Sequence, residues 1–315
     1  MVLDRTPPLR ESVADLVRRA FVVELGNMVA LFVGVYAATI ALDNALDPYF
    51  LDSDISLLLV RSVLVLVGMG VLTTSYASWR GYSLPVSIPN RTDGWLIGAA
   101  VAGTAILAVL PFGLFALRMG VGVSHVTSTV ADLGGVFLNR TLIRIALFVS
   151  GMVILYHGLV QGALQRVFSD ERDLAVVVTT LLSGYLVTPT ILTYGTFANG
   201  PWLFLWGTRA VVAVLFVLAL AVAVYADERS DDDRVRALAL LPVLVTLALA
   251  ALVLTLAAET PRGALVVMIR VAVVGVAAYV YDRTASLLSP TLVYATFAVV
   301  SAVLYAAAVD AVLGA

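Results

Sequence analysis

Few residues in this apolar chain could do chemistry. Histidine occurs twice, at His125 and His157, and cysteine not at all. That excludes a disulfide framework and thiolate chemistry. Two imidazoles are too few for a histidine-based metal cluster, so no metal and no cofactor is expected. His157 lies in the run Gly151-Met152-Val153-Ile154-Leu155-Tyr156-His157-Gly158-Leu159-Val160-Gln161-Gly162. On a helix, Val153, His157 and Gln161 share one face at i, i+4 and i+8. Such an imidazole can serve as a general base if a partner orients it. The alternative is a buried ring satisfied by a neighbouring hydroxyl or carbonyl. The second is the better expectation, because no partner lies nearby in sequence. Gly151, Gly158 and Gly162 share another face, and the last two form a GxxxG pair of the kind that lets helices approach closely.

A second polar group surrounds Pro189: Thr179, Thr180, Ser183, Tyr185, Thr188, Thr190, Thr193, Tyr194 and Thr196. Ser183 and Thr188, with Gln161 and Glu24, are candidate lining of a polar cavity. The same hydroxyls could instead satisfy backbone groups freed where the proline bends its helix. The other ionisable groups within apolar runs are Arg61, Arg144, Arg209, Arg270 and Asp310. Charge inside a membrane is costly, and groups near helix ends are expected to snorkel outward or form structural ion pairs. The run Asp227-Glu228-Arg229-Ser230-Asp231-Asp232-Asp233-Arg234 could attract a cation, but reads better as a solvated turn.

The elements that position these residues follow from composition. Of 315 residues, 61% are hydrophobic and only 13% charged, with a mean hydropathy of +1.02. A soluble domain carries about a quarter charged residues, so the excess apolar surface faces lipid. Apolar runs near 22–42, 56–76, 95–117, 142–165, 174–197, 202–225, 237–258, 264–281 and 290–312 each approach the length needed to cross a bilayer. Long uniform runs mean helices rather than the alternating strands of a barrel. The expected fold is an all-α, polytopic transmembrane helical bundle of about nine spans in a cell (plasma) membrane. It is drawn as one domain over 22–315, after a cytoplasmic segment 1–21 whose residues 9–20 have the spacing of an interfacial helix. No secretory signal is expected at the start. The stretch 118–141 could be a loop, an interfacial helix or a re-entrant segment.

All 19 basic residues are arginine and the net charge is −2, which leaves no basic patch for nucleic acid. With the N-terminus inside, inner segments hold twelve arginines (5, 10, 18, 19, 80, 91, 166, 172, 229, 234, 236, 283) and outer loops three (118, 140, 262). That bias implies N-in, C-out and an odd number of spans.

The stretch Tyr156-His157-Gly158-Leu159-Val160-Gln161-Gly162-Ala163-Leu164-Gln165-Arg166 resembles the first motif region of the CAAX-protease and bacteriocin-processing (CPBP) family of intramembrane peptidases. A second stretch, Gly275 to Tyr294, resembles that family's closing segment: a helix ending in Tyr281-Asp282-Arg283-Thr284-Ala285-Ser286-Leu287, then Pro290 opening a last helix. The resemblance covers about forty residues in the family's order. It implies a peptidase-like core at about 142–312. It also implies that the chemistry is lost. Aligned on Gly158, the family's two glutamates fall at Met152 and Val153, its arginine at His157, and its closing His-x-x-x-Asn at Tyr294 and Ala298. Its middle Phe-x-x-x-His would fall near Leu186 to Thr190. Methionine and valine cannot accept a proton from water.

The first expectation is therefore a non-catalytic relative that binds a membrane segment, lipid or partner protein, with no catalytic residue. The alternatives are a transporter or channel-like protein using the hydroxyl-rich fifth run, and an active peptidase using non-standard residues such as Glu24 with His157.

Overall fold

The computed structural model describes residues 55–81, 84–119, 135–168, 171–187, 202–258 and 261–313, together with Gly26 and Gly34. Among the described residues every long element is helical and none is a strand. The helices are α1 (Ile55–Trp79), α2 (Gly94–Met119), α3 (Gly135–Met152), α4 (Gly162–Val167), α5 (Arg172–Val187), α6 (Trp202–Arg229), α7 (Asp233–Ala258), α8 (Pro261–Thr284) and α9 (Leu288–Leu313). Between α3 and α4 runs a π-helical segment, Val153–Gln161, continuous with both. Six helical stretches are long and apolar enough to cross a membrane: Arg91–Leu114, Ile145–Arg166, Gly207–Asp227, Asp233–Leu256, Gly263–Thr284 and Leu288–Ala307. The chain is thus a multi-pass, all-helical membrane protein. Large apolar side chains such as Val67, Ile106, Leu244 and Leu256 stand outward on these helices, where lipid replaces water as their solvent.

The chain forms two compact units, Met1–Ala38 with Ala198–Val253, and Thr39–Phe197 with Leu254–Ala315. The stretch 142–312 contributes to both. In the first unit, α6 and α7 are joined by the acidic turn. Two of its carboxylates, Asp227 and Asp232, make contacts within the turn. Asp232 Oδ1 accepts the Arg234 N–H at 2.9 Å, which caps α7. Arg236 Nε lies 3.3 Å from Asp227 Oδ1 and donates to Ser230 O at 2.7 Å. These exposed pairs add little stability.

In the second unit the π-helical segment is central, packing against α1, α3, α5, α8 and α9. Its residues from Leu155 to Gln161 are all buried. Helices α5 and α8 meet through single glycines. A Cβ built on Gly275 would lie 3.0 Å from Thr180 Cγ2, and one on Gly184 would lie 3.2 Å from both Val271 methyls. Small residues at the contact let helix backbones approach in a membrane.

One end of this unit is knitted together by three connections. Arg166 Nη1 donates to Arg80 O at 3.4 Å, and Arg283 pairs with Asp173 at 3.8 Å. Leu287 N–H donates to Pro85 O at 3.0 Å, and the Ser286 hydroxyl donates to Ser87 O. The turn between α8 and α9 includes Ala285 at φ 45°, a left-handed conformation that costs a non-glycine residue about 1–2 kcal/mol. The two bonds from Ser286 and Leu287 hold it there.

Candidate functional site

The site is a buried line of hydrogen bonds linking the π-helical segment to α8 and α9. Gln161 Nε2 donates to the carbonyl of Ala278 on α8 at 2.8 Å. This turns its Oε1 toward the His157 ring, where Nδ1 lies 2.7 Å away. An amide oxygen only accepts, so Nδ1 carries the proton. In the neutral ring Nε2 then keeps a lone pair, and Tyr294 Oη lies 2.8 Å from it as donor. The chain of donors runs in one direction: Tyr294 O–H to His157 Nε2, His157 Nδ1–H to Gln161 Oε1, Gln161 N–H to Ala278 O. His157 and Gln161 are fully buried and Tyr294 nearly so.

Local backbone explains the reach. The N–H of Gly162 bonds to His157 O, five residues back. Gln161, four residues on, stands within hydrogen-bond reach of His157. The rings of Tyr281 and Tyr294 flank the imidazole, with centroids at 5.8 and 5.5 Å. Further toward the knitted end, Gln165 Nε2 donates to Asp282 Oδ1 at 2.9 Å, and Thr284 Oγ1 lies 2.8 Å from Ser289 Oγ. The face of Gly158 is covered by Leu84 and Leu287, whose methyls would stand 3.2 and 3.9 Å from a Cβ placed there.

Of the residues singled out in the sequence, the structure joins His157, Gln161 and Tyr294. Met152 and Val153 are buried on the turn before His157 and offer no titratable atom. Leu186 and Ser183 are buried on α5, and Ala298 is half-buried one turn beyond Tyr294. Gly151 is buried. Gly162 meets only its own helix, with His157 O at 3.9 Å. Glu24, Thr188, Thr190 and His125 lie outside the described residues. Arg209 and Arg270, expected to snorkel or to form structural ion pairs, are buried. Their long side chains are held within protein, as intramembrane charge usually is.

Sequence reasoning missed Ala278 O, Asp282 and Ser286 as partners. A backbone carbonyl leaves no residue-type signal. The glutamine–aspartate contact joins residues 117 apart in sequence. Geometrically the line is a finished network. Both ring nitrogens of His157 are engaged by side chains and Gln161 uses both amide atoms, so the imidazole presents no free basic atom to a water or substrate. No protein-family model, curated protein or solved structure matches the chain.

Proposed function

We propose that the chain is a non-catalytic relative of the CPBP intramembrane peptidases. In this reading it spans the cell membrane nine times, N-in and C-out, and works by binding a membrane segment, a lipid or a partner protein. The observation that carries this is the engagement of both nitrogens of His157, by Gln161 at 2.7 Å and Tyr294 at 2.8 Å. The two stretches that resemble the family's first and last motifs meet directly through these bonds. Where the family places a proton-accepting glutamate, this chain has buried Met152 and Val153. A general base needs a titratable group within reach of the water it activates. Here the imidazole is consumed as a fastener between helices.

The test is incubation of purified, lipid-reconstituted protein with prenylated and transmembrane peptides. The expected result is no cleavage above a protein-free control. Cleavage that disappears in His157→Ala while the variant remains folded would overturn the reading in favour of an active peptidase.

One observation favours a second reading, a transporter or channel-like protein. The hydroxyls of Thr179 and Ser183, both fully buried on α5, have no hydrogen-bond partner among the described residues. Buried hydroxyls carry partners as a rule, and a solute or water beside α5 would supply one. Solute uptake into proteoliposomes that falls in Ser183→Ala is the outcome expected of that reading.

A further inference from the structure

The segment that leads into α2 is extended and apolar, and it lies outside any spanning helix. It reads Leu84-Pro85-Val86-Ser87-Ile88-Pro89-Asn90, followed by the short turn Arg91–Asp93. Its backbone is fastened to the α8–α9 turn through Pro85 O and Ser87 O. Its apolar side chains are nevertheless turned out: Val86 is 68% exposed and Ile88 84%. Trp79, which ends α1, and Trp95, which begins α2, are 68% and 75% exposed. Arg80 stacks on Trp79 at 5.7 Å, and Arg91 stands exposed at the start of the turn.

This combination fits one environment. Tryptophan concentrates where acyl chains meet headgroups. Arginine is a planar donor suited to phosphate. The helices on either side of the segment also carry exposed apolar side chains, among them Val67 and Val71 on α1 and Ile106 and Leu110 on α2. We propose that residues 84–95 lie in the headgroup layer, with Val86 and Ile88 in the outer acyl region and Arg80 and Arg91 at phospholipid phosphates. The segment is then a lipid-contacting strap whose inner side chain, Leu84, rests on Gly158 beside His157.

Because the chain has no cysteine, single substitutions can be spin-labelled cleanly. Full-length Val86→Cys and Ile88→Cys are labelled and reconstituted in vesicles of phosphatidylcholine with phosphatidylglycerol. Label relaxation is compared between oxygen and a water-soluble nickel chelate, with Asp231→Cys in the polar turn as the aqueous reference. Oxygen is expected to dominate at 86 and 88 and the nickel chelate at 231. Dominance of nickel at 86 and 88 places the strap in water, and shielding from both reagents places it under another protein; either result overturns the proposal. A second measurement avoids the labelled positions. In Trp202→Phe/Trp206→Phe, which retains only Trp79 and Trp95, lipids brominated on the upper acyl chain should quench emission more than aqueous acrylamide does. The reverse order also overturns it.

Discussion

At the scale of the residue, the Tyr294–His157–Gln161 line is a set of partners that satisfy one another in the dry centre of the second unit. Its energetics are asymmetric. Making such a bond contributes little net, because the unfolded chain finds other partners, and membrane hydrogen bonds average about 0.6 kcal/mol. Leaving a buried acceptor unmet costs about 1–3 kcal/mol. Tyr294→Phe keeps the ring and its packing but removes the donor to Nε2, so it should destabilise by about 1 kcal/mol. Gln161→Leu strands the buried Nδ1–H, whereas Ala278 O keeps its helical donor, so it should cost about 1–3 kcal/mol. Thermal unfolding in detergent of the two single variants and the double variant tests this. Because both bonds pass through one ring, the double variant should lose less than the two single losses added. Full additivity would mean that the bonds act independently and that the line is no unit. Only part of it was legible beforehand. The i, i+4 spacing of His157 and Gln161 was visible, and the resemblance pointed to Tyr294. Nothing in the sequence pointed to the carbonyl of Ala278, since any residue supplies one.

Among the elements, the length of the uniform apolar runs marked the helices. Eight of the nine apolar runs overlap helix in the described residues, the fifth only as far as Val187, and six of the helical stretches are long and apolar enough to cross a membrane; the run at 22–42 lies outside the described residues apart from Gly26 and Gly34. The change to π geometry at 153–161 has no sequence signature. The packing glycines were also hidden. The GxxxG spacing drew attention to Gly158 and Gly162, whereas the tight helix contacts are at Gly184 and Gly275, neither of which belongs to a GxxxG pair. These positions therefore separate spacing from structure. At Gly184 an added methyl would sit 3.3 Å from Val271 Cα, which is backbone and cannot step aside. Gly184→Ala should destabilise by about 1–3 kcal/mol, the usual cost of overpacking. Gly162 has helical φ and ψ of −60° and −38° and open space outside its own helix. There Gly162→Ala should be neutral or gain up to about 1 kcal/mol of helix propensity. Detergent melting curves of the two variants decide it, and equal losses at both positions would contradict the packing described.

At the scale of the whole molecule, the arginine count of the loops can be set beside where individual arginines fall on their helices. Three helices end in an arginine set on an aromatic ring: Arg80 on Trp79 after α1, Arg229 on Tyr225 in α6 and Arg283 on Tyr279 in α8, at 5.7, 5.3 and 5.2 Å. A cation at a helix C-terminus complements the partial charge there, and aromatic rings mark the lipid–water boundary. All three arginines fall in segments that the arginine count assigns to the inside. Arg166 and Arg172, also assigned inside, lie in or beside the connections knitted at one end of the second unit. The sequence bias could be read without coordinates because it is a sum over loops. The convergence of the loops could not, because it depends on how the helices pack. N-in, C-out topology gives a direct expectation for the cysteine-free chain. In intact cells a membrane-impermeant maleimide should label Arg262→Cys, at the start of α8, which this topology puts outside. It should leave Asp231→Cys unlabelled until the membrane is opened, since that exposed residue lies in the inner turn between α6 and α7. Labelling of Asp231→Cys in sealed cells, with Arg262→Cys protected, would invert the orientation and put the arginine-rich end of the second unit outside.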